Sequence, residues 1–109
     1  MKVKFTVITV CYNAVDVITE TIKSLLSQKF SEYEYIIQDG GSTDGTLEEV
    51  RKLTGGRAGV SIYSETDAGI YDAMNKALVK AKGEYVFFLN AGDCLVNDAV
   101  LLRVNEYIG

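Results

Sequence analysis

Two short segments set acids where chemistry is feasible. Asp39-Gly40-Gly41-Ser42-Thr43-Asp44-Gly45 and Asn90-Ala91-Gly92-Asp93 each place an aspartate beside glycine, which lets a ligand or another backbone come close. A carboxylate there accepts from a base N–H or from ribose hydroxyls, or holds a hard divalent cation through oxygen. Magnesium or manganese suits a site with few carboxylates, because a bound diphosphate supplies the remaining oxygens. Each acid also has a plainer reading: Asp39 as an Asx turn ahead of its glycines, Asp93 as a turn or helix cap. Asp67, Gly69, Asp72, Asn75 and Lys76 gather where a helix should begin. That end of a helix attracts phosphate and Lys76 adds a cation; an ordinary capped helix with a solvated face is the alternative. The glycine spacing matches neither the P-loop nor the Gly-x-Gly-x-x-Gly pattern.

Composition narrows the chemistry further. The chain has no histidine, which removes serine-histidine triads, cysteine-histidine dyads and histidine-ligated zinc. A net charge of −4 argues against a nucleic-acid partner, which would call for a basic stripe. With 109 residues, 48% of them hydrophobic, the chain reads as one ordered domain. Cys11 and Cys94 are too few for a disulfide scaffold and are expected as free, buried thiols in a reducing cytoplasm. No apolar run approaches the roughly 18 residues of a membrane span, and the start shows no signal-peptide pattern. A soluble cytoplasmic domain is the expectation.

The elements that must position these acids follow from periodicity. Phe5–Val10 is a β-rich run closing at Cys11-Tyr12-Asn13, and Tyr33–Gln38 is a second, ending at Asp39. Val15, Ile18, Ile22, Leu25 and Leu26 recur at helical spacing between them. Thr46-Leu47-Glu48-Glu49 fits a capping box opening a helix that stops near Gly55-Gly56. Val60–Ser64 is a short strand. The stripe Ile70, Met74, Ala77, Leu78, Ala81 predicts a helix closed by Gly83 as its C′ residue. Tyr85–Leu89, the most apolar run, predicts a central strand covered on both faces, and Asn97 or Asp98 should cap a last helix from Ala99. Alternating strands and helices imply an α/β fold: a doubly wound, mostly parallel, Rossmann-like sheet with helices on both faces. Ligands of such sheets bind beyond the carboxyl ends of the strands, where the loops at Tyr12-Asn13, Asp39–Asp44 and Asn90–Asp93 converge.

Four blocks then align with a known family. Thr6–Asn13, Ile36–Thr46, Asp67–Ala77 and Lys82–Asp93 resemble, in order and spacing, the opening of family 2 glycosyltransferases with the GT-A fold. The Asp-Gly-Gly-Ser and Leu-Asn-Ala-Gly-Asp spellings are most similar to bacterial enzymes of exopolysaccharide and surface-glycan assembly. The resemblance implies inverting transfer of a sugar from a nucleotide-diphosphate donor, often UDP-linked, to an acceptor hydroxyl of a glycan or lipid-linked glycan. It implies that Tyr12 and Asn13 meet the base, that Asp39 contacts base or ribose, and that the segment Asp67–Lys76, with Asp72 and Lys76 as its binding residues, lies near the diphosphate and sugar. It places Asp93 at the last position of the family's metal motif, with Mn2+ or Mg2+ as cofactor. Many members carry aspartate where this chain has Gly40 and Gly92. Family members are also longer, so residues 1–109 are expected to be the donor-binding part, without the acceptor-side part that supplies the general base. In the full-length protein this part would sit in the cytoplasm or at the inner face of the membrane. Homodimerisation through the face left uncovered is a further expectation. A nucleotide-sugar-binding module without catalysis, and a receiver-like signalling domain, are the other classes such a sheet admits; the second gives the glycine loop after Asp39 no purpose.

Overall fold

A computed structural model describes residues 3–108. Four strands and four helices alternate: β1 (Phe5–Cys11), α1 (Ile18–Leu26), β2 (Tyr33–Asp39), α2 (Thr46–Thr54), β3 (Val60–Ser64), α3 (Ile70–Leu78), β4 (Tyr85–Phe88) and α4 (Val100–Ile108). All pairings are parallel and the strand order is β3-β2-β1-β4. The chain steps outward from β1 to β3, then returns across the sheet to place β4 on the other side of β1. The order therefore reverses beside β1, which creates the crevice used by ligands in doubly wound sheets.

Burial follows from that order. Every residue of β1 is buried. Its alternate side chains Phe5, Val7 and Cys11 face a core with Ile18, Ile22 and Leu25 of α1, Val50 of α2 and Leu101 of α4. Each fully buried aliphatic contributes about 1.5–3 kcal/mol over leaving it in water. On the opposite face Ile8, Val10 and Ile36 meet Ala73 and Ala77 of α3. Helices thus cover both faces, as the alternation of elements required.

Three local expectations are corrected. β4 is an edge strand: among the described residues it pairs only with β1, and Tyr85 and Val86 are 43% and 38% exposed. The helix α3 ends at Leu78, before Gly83. Gly83 is needed for close approach instead, since a Cβ there would lie 2.5 Å from the backbone nitrogen of Thr6 and 2.6 Å from the Phe5 carbonyl carbon. Its N–H donates to Thr6 Oγ1 at 2.8 Å, seating the chain against β1 as it enters β4. The capping box at Thr46 does not form, although the helix starts there. Gly45 is the N-cap, the Thr46 hydroxyl donates to Asp44 and accepts from the Ala14 N–H, and Glu49 accepts from Thr19 Oγ1 at 2.9 Å.

Substituting Gly83→Ala forces backbone against backbone. It should cost about 1–3 kcal/mol, read as a lower urea midpoint at unchanged slope.

Candidate functional site

Strand register sets the loops on one rim. Cys11 pairs with Asp39 across β1–β2, and Asp39 pairs with Ser64 across β2–β3, so three strands end level. Beyond β4 the pairing persists: Leu89 N–H donates to the Ile8 carbonyl at 2.8 Å and Ala91 N–H to that of Val10 at 3.3 Å. The segments holding Tyr12, Asp39, Asp67 and Asp93 thus all emerge from the carboxyl edge of the sheet.

Asp39, expected at base or ribose, is buried and its lone pairs are taken. Oδ2 accepts from the N–H groups of Gly41 and Ser42, each at 3.0 Å, and from Ser64 Oγ at 2.9 Å. Oδ1 accepts from Ser42 Oγ at 2.5 Å, with the Cys11 thiol 3.7 Å away. Burial alone would raise the carboxyl's pKa. The bonds from Ser42, Ser64 and Gly41 outweigh it and hold the group below its ordinary 3.8. This is the Asx-turn reading of the sequence, extended by a hydroxyl from β3. The correction is one of role: Asp39 shapes the loop and presents no surface to a ligand.

The same loop fixes Asn13. Its Oδ1 accepts from Thr43 N–H and its own N–H donates to Ser42 Oγ, both at 2.8 Å. Asn13 takes a left-handed φ of 48°, which asparagine tolerates better than most residues. The knot holds the chain just beyond Tyr12, a residue that is 62% exposed. Tyr12 stands with Val10, Cys11, Ile70 and Ala73 in a shallow apolar cleft whose charged member is Asp67. Another cleft, lined by Leu26, Tyr33, Arg57 and Val60, opens where β2 and β3 begin, away from the strand-end acids.

Asp67, in sequence one member of a polar cluster at a helix start, is set by the fold in the cleft with Tyr12. Its Oδ1 accepts from Gly69 N–H at 3.0 Å. Asp72 and Lys76, expected near diphosphate and sugar, tie that loop to α3. Asp72 Oδ2 accepts from Ala68 N–H at 2.9 Å and lies 3.4 Å from Lys76 Nζ, which donates to the Thr66 carbonyl at 2.6 Å. The bond from Ala68, and then Lys76, hold the Asp72 carboxyl below its ordinary value. Neither residue lines the cleft with Tyr12.

The loop after β4 is pinned by α1. Gly92 N–H donates to Thr21 Oγ1 at 3.0 Å and Leu95 N–H to Ser24 Oγ at 3.1 Å, while Asp93 N–H closes a turn onto the Asn90 carbonyl at 2.9 Å. Asp93 itself is exposed. Asn90 Oδ1, at the start of that turn, is buried with no hydrogen-bond partner among the described residues. Sequence reasoning missed Asn90; its signal was its place three residues before Asp93 in the same turn.

Set against known proteins, residues 6–109 match the family model described as Glycosyl transferase family 2. The chain belongs to glycosyltransferase family 2. A PGL/p-HBAD biosynthesis glycosyltransferase of Mycobacterium tuberculosis is 35% identical over 107 residues, 96% of this chain and 41% of that protein. The putative teichuronic acid biosynthesis glycosyltransferase TuaG of Bacillus subtilis is 44% identical over 90 residues, 80% of this chain and 35% of its own length. The chain thus spans about two fifths or less of these relatives. Among solved structures, S. aureus TarS in complex with UDP-GlcNAc superposes with a TM-score of 0.88 at 33% identity, covering 96% of this chain and 31% of that one. The mannosyltransferase PcManGT of Pyrobaculum calidifontis, in complex with GDP-Man and Mn2+, gives 0.90 at 25% identity over the whole chain and 33% of its own. The four-stranded parallel sheet of this family 2 chain is accordingly that of the GT-A glycosyltransferases.

Both thiols are free; Cys11 is buried as expected, whereas Cys94 is exposed. Burial, and then the adjacent Asp39 carboxylate, push the Cys11 thiol up to about 12. Iodoacetamide at pH 8 should therefore label Cys94 alone in the native protein and both residues in denaturant, counted by intact mass. Asp39, with a folded pKa below its unfolded one, stabilises fully above the unfolded value of 3.8, and that contribution disappears as pH falls through the folded value. Asp39→Asn should cost about 1–3 kcal/mol at pH 7 and flatten the acid limb of stability against pH, measured by urea unfolding from pH 7 to pH 3.

Proposed function

We propose that this chain is the donor-binding part of an inverting glycosyltransferase. It takes a UDP-linked sugar and, within the complete enzyme, passes it to a hydroxyl of a glycan or lipid-linked acceptor in bacterial surface-polysaccharide assembly. The observation that carries this reading is the meeting, on one rim at the reversal of strand order, of an exposed aromatic ring, an apolar cleft and an exposed aspartate beside an orphaned buried oxygen. Family membership supports it, as do UDP-GlcNAc in TarS and GDP-Man with Mn2+ in PcManGT.

A divalent cation fits the residues present. Leaving Asn90 Oδ1 buried and unpaired costs about 1–3 kcal/mol, a debt that a cation or ligand at this turn removes. Asn90 and Asp93 offer oxygen alone, the donor type that magnesium and manganese prefer. Among the described residues no three acidic or thiol side chains gather around one point, so the diphosphate itself would complete the coordination. When bound, the cation supplies Lewis-acid neutralisation of charge on the departing diphosphate.

The chain's own residues do the rest of the binding work. Tyr12, just beyond the end of β1, offers the base an exposed aromatic face to stack on. The loop built on Asp39 and Asn13 fixes the backbone just beyond Tyr12, and α1 holds the turn around Asp93 through bonds from Gly92 to Thr21 and from Leu95 to Ser24. Removal of the acceptor proton falls to a carboxylate in the remainder of the enzyme.

Titration calorimetry with UDP tests the assignment. Mn2+ should raise UDP affinity about tenfold or more, and Asp93→Ala should abolish that gain while leaving the thermal midpoint within a few degrees. Undiminished Mn2+ dependence in Asp93→Ala would overturn it.

A further inference from the structure

The Gly40 position looks, in sequence, like a loss of function: a carboxylate is common there in the family and this chain has none. The structure shows what fills the space. A Cβ built on Gly40 would lie 2.7 Å from Asp67 Oδ2, 3.3 Å from its Cγ and 3.4 Å from Cδ1 of the Tyr12 ring. Gly40 does not have a positive φ, so its backbone would accept a side chain; the obstacle is the Asp67 carboxylate. Asp67 and Tyr12 also line one apolar cleft with Val10, Cys11, Ile70 and Ala73. Among the described residues, the hydrogen bond that this carboxylate accepts goes to Oδ1, from Gly69 N–H, which leaves Oδ2 open above Gly40.

We infer that Asp67, delivered from the β3–α3 loop, is the residue that reads the nucleobase edge, in the space that Gly40 vacates. The inference rests on the donor-binding reading above and deepens it. An ionised carboxylate only accepts. With Oδ1 occupied, Oδ2 has room for one ring N–H on a base stacked against Tyr12. Uracil and guanine carry such an N–H on the pairing edge, flanked in each by a carbonyl. Cytosine and adenine carry a bare ring nitrogen at the same place, whose lone pair would face the anion. An acceptor that a stacked base covers and leaves without a donor discriminates strongly, because the uncompensated loss of water falls on the wrong base. The loop is stiff enough to use it, since Asp72 and Lys76 anchor both its flanks through Ala68 and Thr66. Asp67 is therefore a specificity residue, and Asp72 and Lys76 are positioning residues for it.

The test is calorimetry of UDP, GDP, CDP and ADP with Mn2+ on the wild type, Asp67→Asn and the pair Gly40→Asp/Asp67→Ala. The wild type should bind UDP and GDP at least about tenfold more tightly than CDP and ADP. Asp67→Asn keeps the Oδ1 bond to Gly69. It should lose about 10–100-fold for UDP and bring CDP level with it, because an amide offers either a donor or an acceptor. The double variant returns a carboxylate from the other loop and should restore the preference for UDP over CDP. A UDP-to-CDP ratio unchanged in Asp67→Asn overturns the role of Asp67 and leaves the donor reading standing. Absence of binding by all four diphosphates to the wild type overturns the donor reading, and this one with it.

Discussion

The site depends on one buried carboxylate. Asp39 closes β2, and its oxygens gather donors from the next loop, from Ser64 at the end of β3 and from the Cys11 thiol at the end of β1. The loops leaving three parallel strands that end level are tied to one point. An anion in this position would be expensive if unpaired, because desolvation penalises the charged form. Here two backbone N–H groups and two hydroxyls outweigh that cost and keep it ionised. The polar rim is thereby built outward from a satisfied charge.

Rigidity is passed on through short polar side chains. Ser42, bonded to Asp39, accepts from Asn13 N–H, and Asn13 in turn holds Thr43. On the other side of β1, Thr9 Oγ1 donates to the Leu89 carbonyl at 2.5 Å and lies 2.6 Å from Tyr35 Oη, while Thr21 and Ser24 take the next turns of the loop that ends β4. Threonine and serine suit the task, since each offers a donor and acceptors on a side chain with few rotamers to lose. The acids that remain open are held by neighbours already committed.

The fold was legible because its information is local. Ile18, Ile22 and Leu25 announce α1 by spacing alone, and the β-rich runs bracket their helices within a residue or two. The position of β4 was not legible: Tyr85–Leu89 is apolar enough for a strand covered on both faces, yet strand order, a long-range property, leaves Tyr85 and Val86 half-open beside β1. Gly83 misled for a related reason. A glycine after a helical stripe signals a helix end, whereas this one is required by the backbone of Thr6, far away in sequence. At the site, Asp39 was ambiguous because an Asx turn and a ligand contact use the same residues in the same order. The hydroxyl that decides the matter belongs to β3. Asp67 was visible only as part of a polar helix start, since it takes the folded chain to bring it over Gly40.

Counting lone pairs separates the three strand-end acids more sharply than their sequence contexts do. Asp39 is buried with both oxygens occupied, Asp67 lines a cleft with Oδ1 bonded, and Asp93 stands exposed in a turn whose Asn90 oxygen is unmet. This is a gradient from scaffold to ligand surface. A recognition site needs acceptors the protein leaves unmatched, and such acceptors hold a fixed geometry only if the groups behind them are fully matched. If Asp39 were as open as Asp93, the loops would lose their common anchor and the open acids would no longer keep their relation to Tyr12. If Asp93 were as satisfied as Asp39, nothing would remain to meet the proposed cation. The division of labour among chemically identical side chains is set by which of them the sheet edge can reach.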